Sequence, residues 1–367
     1  MYLIVGAGPA GAVMAERIAS QRDRKVLVID RREHLAGNLY DAIDDNGVMV
    51  HRYGPHIFHT NDREVWDYLS RFTRWHHYFH RAGAVVDGRI VPIPFNFDSL
   101  HALFPPHLAA RLEQRLLANH AYGEHIPVLD LLETEDPDLR FLARYVFDNL
   151  FAGYTAKQWG RDAHTLDRSV TGRVPIRLSR DDRYFRDVYQ GIPADGYTRM
   201  VENLLDHPNV ELRLGVDYAD LRGERFTKTI YTGKIDELFD HRFGPLPYRS
   251  LRFDYRTIDK PYFQPLAQVN YPQSYDFTRI TEYKHFLDQQ TPRSTIGIEY
   301  PLEHVPGENE PYYPIPDDAS RAAYEQYRAE AAKRDDLILL GRLAEYRYYN
   351  MDQVVRRAFD VFEAEVA

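Results

Sequence analysis

The sequence predicts a mixed α/β chain in which a Rossmann-like domain is interrupted by a helical subdomain and an antiparallel β-sheet domain. Three observations carry this expectation. The chain opens with Tyr2-Leu3-Ile4-Val5, a buried-type strand that feeds the turn Gly6-Ala7-Gly8-Pro9-Ala10-Gly11. It ends with Leu337-Ile338-Leu339-Leu340-Gly341-Arg342, a second such strand, and a helical stripe of Val354, Val355, Ala358, Phe359 and Phe362. Between them lie a helical, Leu- and Ala-rich stretch from Ser99 to Trp159 and short alternating segments from Tyr248 to Tyr300. Strands from both ends joining one sheet make the first domain discontinuous, over 1–80, 191–240 and 335–367. The helical subdomain is expected over 98–165, and the sheet domain over 81–97, 166–190 and 241–334.

The opening turn has the GxGxxG spacing that binds a dinucleotide pyrophosphate. Gly6 permits the tight turn, Gly8 lets the backbone approach the phosphates, and Gly11 lets the following helix pack on the strand. Pro9 and Ala10 start that helix, whose free N–H groups face the anion. Ala10, Val13, Met14 and Ile18 recur at helical spacing, and Lys25-Val26-Leu27-Val28-Ile29 forms a second buried-type strand. It ends in Asp30, about 20 residues beyond the last glycine, where a carboxylate takes the adenosine ribose hydroxyls. The loop through Arg31, Gly37 and Asn38 continues that site.

Composition narrows the function classes. The 367 residues are 44% hydrophobic and 28% charged, which suits a globular protein of two or three domains. With no cysteine, thiolate metal sites and cysteine nucleophiles are excluded, and no metal site is expected. A net charge of -9 argues against nucleic acid as a partner, so an anionic substrate needs local arginines. No apolar stretch approaches the roughly 18 residues of a membrane span, and the N-terminus lacks a leader pattern; a cytoplasmic, membrane-free protein is expected. The 27 tyrosines suggest a site or interface built from amphipathic rings, with a tyrosine-rich core as the alternative.

Taking the remaining elements in order, Val48 to Tyr53 reads as extended, and Gly54-Pro55-His56-Ile57-Phe58-His59-Thr60 concentrates two histidines beside a Gly-Pro turn. Glu64 to Phe72 reads as a helix, and Ala84 to Val91 as a hairpin turning at Asp87-Gly88. After Pro137, Leu139, Leu142, Tyr145, Val146 and Leu150 form one helical face, which the cluster Phe151 to Gly160 is expected to end. Arg199 to Leu205 is helical, and Val210, Leu212, Leu214 and Val216 alternate as a half-buried strand. Thr229 to Gly233 is another strand; Pro311-Tyr312-Tyr313-Pro314-Ile315-Pro316 is expected to interrupt the sheet domain. A helix follows over Ser320 to Arg334, and Asn350 or Asp352 caps the last one.

The combination resembles FAD-binding proteins of the amine-oxidase and glutathione-reductase type, and most closely the bacterial UDP-galactopyranose mutases. The resemblance rests on Tyr53 to Thr60, Gly153-Tyr154-Thr155 with Lys157-Gln158-Trp159-Gly160, Thr278 to Glu282, Pro311 to Ile315, and Gly341-Arg342-Leu343 with Tyr346-Arg347-Tyr348. It implies an isomerase that interconverts UDP-galactopyranose and UDP-galactofuranose without net redox change. Reduced FAD would act as the nucleophile on the anomeric carbon with UDP leaving, and the product would feed polysaccharide synthesis.

By that resemblance, Arg173 and Arg279 clamp the diphosphate, where guanidinium forks suit phosphate oxygens. Arg177 is the structural neighbour rather than the clamp. Tyr184, Tyr313 and Tyr348 contact phosphate; Tyr154 and Phe151 hold the uridine; Trp159, Asn270 and His80 approach the sugar or the rest of the substrate. His59 lies close to the flavin. Gly6, Gly8, Pro9, Ala10, Gly11, Asp30, Arg31, Gly37, Asn38, His56, Arg342, Tyr348 and Asp352 hold the FAD. A homo-oligomer, dimer or higher, is implied as well. Four positions depart from the family pattern: Ala36 stands for a glycine, Leu150 for an aromatic, His80 for an asparagine and Asn350 for an aspartate. The competing readings are an FAD-dependent oxidase or dehydrogenase of the amine-oxidase type, and a silent sugar-nucleotide sensor that keeps FAD as structure.

Overall fold

The computed structural model describes residues 1–159, 175–221, 223–315 and 317–366. Among them, five parallel strands form the sheet that carries the glycine turn. Their order is Val210–Leu214, Val26–Asp30, Tyr2–Val5, Thr229–Tyr231 and Leu337–Leu339, so the two ends of the chain meet in one sheet. Such strands are buried on both faces, which is why Val26–Asp30 reads as a continuous apolar run. The helix Pro9–Arg22 packs between Tyr197–Leu205 and Met351–Glu365, with every residue from Ala10 to Ala19 buried. The expected mixed α/β, Rossmann-like fold is borne out.

A mixed seven-stranded sheet stands beside it, in the order Tyr313–Pro314, Tyr248–Ile258, Ser294–Glu303, Arg279–Glu282, Gln268–Asn270, Ala82–Val86, Arg89–Ile93. All its pairings are antiparallel except Gln268–Asn270 with Ala82–Val86, which come from distant parts of the chain and run parallel. The described part of the expected break, Pro311 to Ile315, does not interrupt this sheet. Tyr313–Pro314 pairs with Tyr248 and Arg249 as its edge, a position where proline's missing N–H costs no ladder bond.

The helical unit packs Leu112, Leu116, Leu139, Leu142 and Val146 around one core, which also takes Ile176 and Leu178. The strand Pro175–Arg177 therefore pairs with His125–Pro127 of the helical unit, not with the seven-stranded sheet to which its position in sequence assigned it. A second correction concerns the helix after Pro137. It does not end at Phe151: Pro137–Val146 passes through a six-residue π-helical stretch, Phe147–Ala152, into Gly153–Trp159. The wider turn carries the chain past the sheet at Gly153, where a Cβ would lie 2.5 Å from the Pro272 carbonyl oxygen. Among the described residues, no helix is long and apolar enough to cross a membrane.

Candidate active site

The glycine turn is held by the strand beside it. The Ala7 N–H donates to Asp30 Oδ2 at 2.8 Å and the Arg32 N–H to Asp30 Oδ1 at 2.9 Å, so the carboxylate ties the turn to the end of the second strand. Gly6 has φ +108°, and a Cβ on Gly11 would lie 2.0 Å from the Gly6 carbonyl oxygen, so both positions demand glycine. Gly37 approaches so closely that its Cβ would lie 3.1 Å from the Gly8 Cα. No side chain caps the helix that begins at Pro9, leaving its first N–H groups facing a cavity of about 270 Å³ bounded by Gly8, Asp30, Arg31, Gly37 and Asn38. Bare backbone, a helix N-terminus and a carboxylate at a strand end are the donors and acceptor a dinucleotide needs, so these residues fit FAD. Ala36 meets the same demand for a left-handed backbone at φ +70°, a conformation that costs about 1–2 kcal/mol without glycine.

Beyond the pyrophosphate end, a second cavity of about 260 Å³ is lined by His56, His59, His80, Arg279, Arg342 and Met351 among others. The His56 Nδ1–H donates to the Gly54 carbonyl at 2.8 Å, and its backbone N–H donates to His51 Nδ1 at 3.0 Å. Burial holds His56 and His80 down to about 3, with Arg342 among the charges depressing His56 and Arg279 depressing His80; both rings are neutral near pH 7. His59 lies flat on Phe185, ring centroids 3.7 Å apart, and its Nδ1 is 2.9 Å from Asp187 Oδ2. Arg342 reaches the Tyr349 carbonyl at 2.5 Å and stands 4.6 Å over the Tyr348 ring. Thr60 Oγ1 donates to Asp352 Oδ2 at 3.0 Å, while Asp352 Oδ1 is buried with no partner among the described residues.

A third cavity, of about 790 Å³, shares Tyr184, Gln268, Arg279, Tyr313 and Tyr348 with this second one, so the two adjoin. Phe151, Tyr154 and Asn270 line it from the helix and the sheet. Burial raises the phenols of Tyr154 and Tyr184 and pushes Tyr313 up to about 12, with Arg279 opposing in each case; all three stay protonated and can donate. Burial pulls Arg279 down, but the carboxylate of Glu299, 2.8 Å from its guanidinium, together with the phenols of Tyr154 and Tyr313 raises it well above the ordinary value, so it stays charged. A fixed cation ringed by phenol donors is a receptor for a polyanion.

A family model described as UDP-galactopyranose mutase matches residues 149–348, and one described as an NAD(P)-binding Rossmann-like domain matches residues 4–72. A probable UDP-galactopyranose mutase of Klebsiella pneumoniae is 35% identical over 100% of this chain and 95% of its own length. The chain belongs to the UDP-galactopyranose mutase family. A dTDP-fucopyranose mutase of Escherichia coli is also similar, at 32% identity over 98% of this chain and 96% of its own. The crystal structure of a reduced UDP-galactopyranose mutase superposes with a TM-score of 0.74, covering 100% of this chain and 94% of that one at 16% identity, a likeness of fold. Membership of this family makes the chain an FAD-binding isomerase of the mutase type.

Against the residues expected from this family, the structure brings Tyr154, Tyr184, Asn270, Arg279, Tyr313 and Tyr348 to one cavity, with Phe151 at its wall and His80 in the adjoining one. Arg173 lies outside the described residues, and Trp159 closes the helix Gly153–Trp159. Arg177 donates to the carbonyls of Arg183 and Tyr184 and so fixes the backbone that carries the Tyr184 phenol. Arg31 contacts Glu237 and Glu310, each at 3.4 Å, at the mouth of the dinucleotide cavity. Sequence reasoning missed its neighbour Arg32, which bonds Asn38 at 3.0 Å and Glu310 at 2.7 Å. It also missed Asp187 and Glu299. Arg32 stood in the loop already marked for the dinucleotide, whereas Asp187 and Glu299 stood in no marked motif.

Proposed function

We propose that this chain interconverts UDP-galactopyranose and UDP-galactofuranose with FAD held in its reduced form. The observation that carries the reading is Arg279, a half-buried cation among the protonated phenols of Tyr154, Tyr184 and Tyr313, in a cavity that adjoins the one beside His56 and Arg342. Reduced FAD, when bound, supplies the electron pair that displaces UDP from the anomeric carbon and recovers it when UDP returns, so no electrons are consumed. Arg279, with Arg173, takes the charge that grows on the departing diphosphate, and the phenols of Tyr184, Tyr313 and Tyr348 donate to its oxygens. Tyr154 and Phe151 enclose the base. His56 and His80, both neutral, present polar edges to the sugar without adding charge, and His59 is oriented by Asp187. Asp30, the glycines and the free helix N-terminus hold the adenosine diphosphate half of the cofactor.

We infer the same three units as the sequence did, with the strand at 175–177 moved to the helical one, and a homo-oligomer in the cytoplasm as the family resemblance suggests. A second substrate is favoured by one observation: Leu150 lines the 790 Å³ cavity with Ile93 and Phe95, an apolar wall that suits the methyl of thymine, and a relative is named for dTDP-fucopyranose. The test is chromatographic conversion of UDP-galactofuranose by the purified yellow protein, with and without anaerobic dithionite, run beside dTDP-fucofuranose. Conversion of the uridine sugar only in the reduced sample supports the proposal. Preference for the thymidine sugar moves it to the second substrate; flavin bleaching by a substrate amine, with no conversion, moves it to an oxidase.

A further inference from the structure

Arg279 and Glu299 face each other directly across two antiparallel strands, so the ladder itself sets their pairing. Arg279 Nη2 is 2.8 Å from Glu299 Oε1, and the Thr278 hydroxyl donates to the same oxygen at 3.1 Å. The Glu299 side chain is 2% exposed, whereas that of Arg279 is 17% exposed and lines both cavities. Among the described residues, Arg279 Nε and Glu299 Oε2 are buried without partners, so these residues satisfy the pair incompletely. An apolar pair of similar volume would serve the fold as well, because burying two ions costs about as much as their attraction returns. The carboxylate therefore needs a reason beyond packing, and the cation it faces supplies one.

We propose that Glu299 is a positioning residue that aims Arg279 at the substrate diphosphate and weakens its hold on it. This rests on the assignment of the diphosphate to Arg279 made above. An uncompensated buried guanidinium would bind the diphosphate of substrate, leaving group and product alike; such uniform binding lowers KM without raising kcat and slows release. With Glu299 beside it, part of the guanidinium's field is already balanced in the free protein, so the gain on binding an anion is smaller. The hydrogen bond fixes the orientation of the fork at the same time.

The experiment compares FAD-loaded wild type with Glu299→Gln, Glu299→Ala and Arg279→Ala by UDP titration calorimetry and by steady-state kinetics under reducing conditions. Glu299→Gln keeps an acceptor and removes the charge. It is expected to bind UDP about tenfold more tightly, with KM and kcat both reduced, since loss of one close charge changes anion affinity by at least that factor. Glu299→Ala removes the anchor too and is expected to bind UDP less tightly than Glu299→Gln, with kcat/KM lower by about 100-fold. If Glu299→Gln does not fold, Glu299→Asp lengthens the pair by one methylene and is expected to shift UDP affinity in the same direction by a smaller factor. Unchanged or weaker UDP binding in the Gln or Asp variant, while Arg279→Ala weakens it, overturns the role of Glu299 alone. Unchanged UDP binding in Arg279→Ala overturns the diphosphate assignment and this role with it.

Discussion

Replacing Gly153 by alanine sets two effects of known sign against each other. Gly153 has helical angles, φ -66° and ψ -41°, so propensity alone favours alanine by about 1 kcal/mol. Its Cβ, however, would lie 2.5 Å from the Pro272 carbonyl oxygen, and ordinary contact begins at 3.4 Å, so the helix and the 271–277 loop must part by about 0.9 Å. The two are tied to each other: Lys157 Nζ, on this same helix, donates to the carbonyls of Tyr271, Tyr275 and Phe277, and the Tyr271 N–H donates to the Thr278 carbonyl. Parting them strains these bonds, at the roughly 1–3 kcal/mol typical of overpacking, leaving a net loss of about 1 kcal/mol and a Tm lower by about 1 °C. Activity should suffer more than stability. Tyr154 and Thr155 follow directly on this helix, and a misplacement near 1 Å at a binding group costs on the order of 100-fold in rate. Thermal unfolding with flavin absorbance, beside kcat/KM under reducing conditions, reads both. A Gly153→Ala protein that melts higher than wild type and keeps kcat/KM within a factor of two would show that the contact is soft and the reasoning wrong.

Lys157→Met frees the same loop and should partly rescue Gly153→Ala, with a coupling of about 0.5–2 kcal/mol in a double-mutant cycle of unfolding free energies. Gly11→Ala places a Cβ 2.0 Å from the Gly6 carbonyl oxygen and 2.9 Å from Ile4, so the protein should be purified colourless, without bound FAD, as its visible absorbance will report. Arg279→Ala should keep its FAD and lose at least about 100-fold of turnover, the scale of removing one charge-stabilising group. Burial holds His51 and His80 near 3, against 6.5 when unfolded. Between those values the unfolded chain takes up protons that the native one refuses, so stability falls on acidification below pH 6.5 by about 1.4 kcal/mol per unit for each ring. His80→Asn should make the pH dependence of Tm between 6.5 and 5 shallower by one ring's share.

What was legible in the sequence was whatever is decided within a few residues. The GxGxxG turn could be read because its constraints are local: a positive φ at Gly6 and a Cβ clash of Gly11 with Gly6 follow from the backbone alone. Tyr154, Tyr184, Arg279 and Tyr313 were found through motif resemblance, since nothing in their own neighbourhoods separates a phenol facing a cavity from one in a core. The edge strand Tyr313–Pro314 was hidden because proline signals a break, and only the fold reveals that its ring faces an unpaired edge. Glu299 was hidden by the alternation that otherwise reads strands well. In Thr295-Ile296-Gly297-Ile298-Glu299-Tyr300 the isoleucines suggest a buried face, which consigns Gly297 and Glu299 to solvent. The sheet is covered on that side as well, so closely that a Cβ on Gly297 would lie 2.7 Å from the Tyr283 hydroxyl. A carboxylate there survives because the neighbouring strand, twenty residues away in sequence, sets a guanidinium opposite it. Register decides that pairing, and register is fixed only when the whole sheet forms. Residues that act on substrate through their own chemistry can therefore be found by motif, whereas those that set the charge on another residue become visible only in the folded chain.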